Sequence, residues 1–159
     1  MAHRVKSLTV AIQLSGQMYA PEQLHAVRIA TKKLRYALEL IADARLAPVR
    51  PLVNTLKRAQ DTLGKLHDLQ VIEQHVAAVQ AMPPARRGAH DGGLKVIAGS
   101  LADECRHLHG RYIKQVPALI QLLETCTETI LPQLARRVRR RPLKAMLPQP
   151  ARSPLAKRA

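Results

Sequence analysis

The chain is predicted to be all-α, a four-helix bundle of long antiparallel helices with a flexible basic tail at its C-terminal end. Three observations carry that prediction. Apolar residues recur at three- and four-residue spacing over long stretches, and nowhere in sustained alternation. Prolines stand where helices would open or close, at Pro21, Pro51, Pro83-Pro84 and Pro117. A chain of 159 residues, 47% of them hydrophobic, is also long enough to build one domain with a sizeable core.

The elements follow in order. Residues 1–20 are weakly patterned and are expected to form a leader of low order. Pro21-Glu22 opens the first helix, because proline is tolerated in the first turn and an acid there complements the helix dipole. That helix is expected to reach about Arg45, ahead of Pro48. Pro51 opens a second helix running to about Met82, with Leu52, Leu56, Ala59, Leu63 and Leu66 at helical spacing. A loop spans Pro83 to Gly93. A third helix is expected over about Leu94 to Gln115, ended by Pro117. A fourth starts near Ala118, is interrupted or capped near Pro132, and enters an arginine-rich segment. The expected units are thus residues 1–20, a bundle over 21–141, and a disordered, proline-containing basic tail over 142–159.

Charge divides the chain. Lys and Arg total 26 against 11 acids, a formal net charge of +15. Residues 136–159 hold nine of those bases and no acid, which leaves a net +6 for residues 1–135. Residues 136–159 therefore account for most of the excess, and their arginine-rich start serves either as a nonspecific anion-binding arm or as a solvated helix end. Cys105 and Cys126 do not make a disulfide framework and show no metal-ligand spacing, so both are read as small core residues in a reducing cytoplasm. No apolar run approaches the roughly 18 residues of a membrane span. His107 and His109, at i and i+2, do not share a helix face.

The first helix carries a more specific signal. His25, Arg28, Lys32 and Arg35 lie at offsets 0, 3, 7 and 10, which places them within about 80° of one another. Val27, Ala30, Leu34, Leu38 and Ile41 fall on the opposite side. Three or four cations on one face repel one another unless an anion neutralises them, so the row points to a polyanion. The second helix presents Arg50, Asn54, Lys57, Asp61, Gly64, Asp68 and His75 on one side. Asp61 and Asp68 are expected to hold the cations of the row in place. Gly64, costing about 1 kcal/mol in mid-helix against alanine, is expected to admit the close approach of a helix or a ligand.

The stretch Leu24-His25-Ala26-Val27-Arg28, followed by Lys32-Lys33-Leu34-Arg35-Tyr36-Ala37-Leu38-Glu39-Leu40, resembles the signature of CHAD domains, the conserved histidine α-helical domain family. Leu56-Lys57-Arg58-Ala59-Gln60-Asp61-Thr62-Leu63-Gly64-Lys65-Leu66-His67-Asp68-Leu69 resembles that family's following helix. The resemblance is strong over about residues 21–80 and rests on helical pattern alone over 93–135. It implies a helical protein that binds inorganic polyphosphate without enzymatic activity and needs no cofactor or metal. Ligand contact falls on His25, Arg28, Lys32, Lys33 and Arg35, with Tyr36, Lys57 and Arg58 beside them and Asp61 and Asp68 in support. The family often has two four-helix halves around a basic channel. This chain has room for one, and its Lys-Lys-Leu-Arg-Tyr version is more similar to the second half. Either it is a truncated member, or two copies pair as a homodimer to restore the missing half.

A cytoplasmic protein directed to polyphosphate granules is the expected reading. The alternative is nonspecific binding of nucleic acid or another polyanion. Base stacking has little to work with, since the chain has no Phe or Trp and three tyrosines. No acid cluster suggests a phosphohydrolase, and the Glu-x-x-His pairs of helical-bundle metal sites are lacking.

Overall fold

A computed structural model describes residues 1–83 and 91–140, and these are helical with no strand. The elements are α1 (Ala2–Ser15), α2 (Pro21–Asp43), α3 (Arg50–Gln80), α4 (Asp91–Thr125) and α5 (Leu131–Arg140), with a π-helical turn, Cys126–Ile130, joining the last two. From α4 to α5 the chain is continuous helix, so the described residues form four rods. Each packs on its neighbour in sequence, and α1 closes the ring against α4 and the π turn. The expected tail over 142–159 lies outside the described residues.

Two expectations are corrected. Residues 1–20 are not a leader outside the bundle: α1 is its first helix and buries Val5, Leu8, Ala11, Ile12 and Ser15. Its pattern is weak because Val10 and Leu14 make the opposite face apolar as well. The connection to α2 turns at Gly16, where φ is +55°, a left-handed conformation that a Cβ would strain. It is then tied down by Tyr19, whose hydroxyl accepts a hydrogen bond from Gln70 Nε2 at 3.1 Å. The second correction is Pro117, which lies inside α4 rather than ending it. Proline in a helix interior costs roughly 3 kcal/mol. Here Leu108 and Tyr112 before it and Leu119, Leu122 and Leu123 after it are all buried on one stripe, and each large side chain returns about 1.5–3 kcal/mol. Tertiary burial outweighs the local penalty. The interruption expected near Pro132 takes the form of the π turn. Pro132 has no N–H for the Glu128 carbonyl, and a wider turn avoids the clash of its ring with that group.

The other boundaries lie within a few residues of expectation. Helix α2 ends in a Schellman arrangement, with Leu46 N–H donating to the Ile41 carbonyl and Arg45 N–H to the Ala42 carbonyl, both at 3.0 Å. Arg45 takes the left-handed position that glycine usually fills, at φ +52°, and its carbonyl accepts a bond from Arg137 of α5 at 3.1 Å.

The core runs along the bundle axis through Leu8, Val27, Leu34, Leu38, Leu56, Leu63, Leu66 and Leu119. Cys105 and Cys126 are buried free thiols, and burial pushes the Cys126 thiol up to about 11. Tyr112 is fully buried, with its hydroxyl 3.1 Å from Ser15 Oγ. Among the described residues no helix is long and apolar enough to cross a membrane.

Candidate functional site: a cationic groove between two helices

Helices α2 and α3 run antiparallel, so residues descending α3 meet residues ascending α2. His25 faces His67, with ring centroids 4.8 Å apart. Arg35 faces Gln60, and Glu39 faces Lys57. This register turns the row on α2 toward α3 and makes a groove between them. One end is a cavity of about 240 Å³ lined by Glu22, His25, His67 and Gln74. The other is a cavity of about 320 Å³ lined by Glu39, Asp43, Arg50, Asn54 and Lys57.

The cations of the row are not equivalent. Arg35 is half-buried and already engaged: its Nε donates to Gln60 Oε1 and its Nη1 to Glu39 Oε1, both at 2.7 Å. It is a strut between the helices. Arg28 and Lys32 are partly exposed and form no hydrogen bond or ion pair with another described residue. Tyr36 braces two of the cations, with Arg35 Cζ 4.5 Å and Lys32 Nζ 5.9 Å from its ring centroid. Lys57 extends over the groove from α3, 3.7 Å from Glu39.

Three of the residues expected at the site are placed elsewhere. Lys33 sits about 100° around α2 from Lys32 and lines a different groove, against α1. Arg58 and Asp61 line the α3/α4 side of the molecule with Lys65 and Arg111, so Asp61 does not hold the row. Asp68 is exposed and acts only through space, favouring the charged form of its neighbour His67. The acid that does hold the row is Glu39, helped by Gln60. Their signal was present in sequence as the i,i+4 spacing of Arg35 and Glu39. His67 belongs to the site through its contact with His25. Burial, and then the charges of Arg28 and His25, lower its pKa below the ordinary 6.5.

Gly64 lies on α3 between Gln60 and His67, and a Cβ built there would meet nothing within 4 Å. The expected close approach of a neighbouring helix is therefore corrected, and the position is open space beside the groove. Gly64→Ala is expected to stabilise the protein by up to about 1 kcal/mol, since alanine restricts the unfolded chain and fits the helix. Urea denaturation checks this, and a destabilised variant would mean the surface is covered.

Among the described residues no group of three or more His, Cys, Asp or Glu side chains could hold a metal ion. What the groove offers is hydrogen-bond donors and positive charge. Fold and site together define an all-α bundle with a cation-lined interhelical groove. Residues 2–77, a little under half of the chain, match the family model of the CHAD domain. The match takes in α1, the whole row on α2 and nearly all of α3, and stops before α4. No curated protein and no solved structure matches the chain.

Proposed function

We propose that the α2/α3 groove binds inorganic polyphosphate, without chemical conversion, and that this binding directs the protein to polyphosphate granules. The observation that carries the reading is the pair of uncommitted cations, Arg28 and Lys32, held between His25 and the Arg35 strut inside the CHAD segment. A phosphate chain carries closely spaced negative charges that successive helical turns can meet. A guanidinium clasps two oxygens, and an ammonium follows as a mobile point charge. Pairing of two copies would set two such grooves against one chain, and belongs to the same proposal.

Nucleic acid is the competing polyanion, and the tyrosines weigh against it as a stacked ligand. Tyr112 is fully buried and Tyr19 is bound to Gln70, which leaves Tyr36, 44% exposed, as the one tyrosine open to a base.

Anisotropy titration of labelled long-chain polyphosphate, with RNA of equal total charge as competitor, tests the proposal. Binding is expected to weaken steeply with salt and to resist RNA, and displacement by RNA at charge parity would overturn it. The pH profile adds a signature. In the free protein the lowered pKa of His67 means that the folded chain holds fewer protons than the unfolded one. Stability from this group is present above pH 6.5 and is lost as pH falls. A bound polyanion reverses the local field and draws a proton onto His67, so affinity is expected to rise as pH falls from about 8 to 6. His67→Gln is expected to flatten that slope.

A further inference from the structure

A second groove lies on the other flank of α2, between α1 and α2, and no part of the proposed function uses it. It encloses about 930 Å³, several times the volume of either cavity in the cationic groove. Small side chains, Ala11, Ala26 and Ala30, line it and let the two helices leave a broad trough. On its α1 side stand Val10 and Leu14, 41% and 72% exposed. With Ile29 across from them they give the trough apolar walls, the lining that an apolar helix stripe would fill. The trough is also polarised along its length. Because α1 and α2 are antiparallel, Leu14 and Ala26 lie toward one end, while His3, Arg4 and Lys33 lie toward the other, with Lys6 between. Arg4 donates to the Lys33 carbonyl at 3.1 Å, which fixes that cationic end. Among the described residues no acidic side chain lines the groove.

We propose that this trough seats an amphipathic helix of a partner protein, one whose apolar stripe ends in acidic residues. The concave shape suits a helix laid in a groove, where the apolar stripe fills the trough and the rim sets orientation. A planar bilayer would touch Leu14 but could not reach the alanines below it. Charge selects the partner: Arg4, Lys6 and Lys33 put three positive charges on the rim, so an acidic end is complementary. A second copy of this chain, itself at +15, brings the wrong sign.

The test uses the full chain and a synthetic helical peptide of about four turns, carrying one leucine stripe that ends in two glutamates. A matched peptide ends in two lysines. The glutamate peptide is expected to bind at least about tenfold more tightly than the lysine peptide. Lys6→Glu should reverse that preference, and Leu14→Asn should abolish binding of both. Both positions are exposed, so unchanged thermal melting confirms that the variants fold. Polyphosphate affinity is expected to be the same in wild type, Lys6→Glu and Leu14→Asn, which separates this surface from the α2/α3 groove. Equal binding of the two peptides, or binding that survives Leu14→Asn, overturns the proposal. So does a dimer in light scattering that Leu14→Asn dissolves, which would assign the trough to a second copy, or Leu14-dependent binding to anionic phospholipid vesicles with none to the peptide.

Discussion

Replacing Arg28 and Lys32 together by alanine is expected to lower polyphosphate affinity by about a hundredfold or more, with little change in stability. Hydrogen bonds to charged groups contribute about 1.5–3 kcal/mol each, and every 1.4 kcal/mol is a tenfold change in affinity. Neither side chain forms a hydrogen bond or ion pair with another described residue, and the Tyr36 ring beside Lys32 is exposed, so neither substitution strands a buried partner. Arg35 gives the instructive contrast. Arg35→Ala would remove two 2.7 Å bonds, leave Gln60 and Glu39 without their donor, and release a carboxylate into the groove. Affinity and stability should then fall together, whereas the Arg28/Lys32 pair should move affinity alone. Arg28→Lys is expected to recover only part of the loss, because an ammonium cannot clasp two oxygens. Anisotropy titration beside thermal melting reads both quantities. Unchanged affinity in the double variant would move the ligand off this groove.

The largest effect on stability is expected from Leu34→Ala. Leu34 is fully buried at the middle of α2, on the side away from the cationic groove. Truncating such a leucine costs about 2–5 kcal/mol, the spread reflecting how far the cavity collapses. In a chain of this size each kcal/mol shifts the melting temperature by about 2–4 °C, so a fall of roughly 5–20 °C is expected. Leu40→Ala on the same helix is the control. Leu40 is 69% exposed, and its truncation should stay within about 0.5 kcal/mol. Comparable losses for the two would mean that α2 does not pack through the Leu34 face.

Most of the scaffold was legible from periodicity. Helices α2 and α3 announce themselves by apolar positions on one side and charge on the other, with a proline at each start. Helix α1 was not legible, because its two apolar faces serve different surfaces, the core and the α1/α2 trough, and a helix apolar on both sides carries little directional signal. Pro117 misled for a different reason. It is a local breaker, and the stripe of buried residues on both sides of it expresses its strength only when α3 and α1 are present to cover it. The family match beginning at residue 2 agrees with α1 being part of the domain.

The row itself, His25, Arg28, Lys32 and Arg35, was readable because helical geometry alone aligns those positions. Its surroundings were not. Lys32 and Lys33 are adjacent in sequence, yet they face separate grooves. Asp61 shares a side of α3 with Lys57, yet it falls toward α4, and the row is held by Glu39 from within α2.

By itself, then, the sequence determined that the chain is helical, where α2 and α3 begin, and that α2 carries a periodic row of cations, since each of these depends on residues within a few turns of one another. Only the tertiary structure decided which of those cations are free. It made Arg35 a strut and left Arg28 and Lys32 open, because the antiparallel register of α2 and α3 sets which side chains meet across the groove. No spacing within one helix encodes that register.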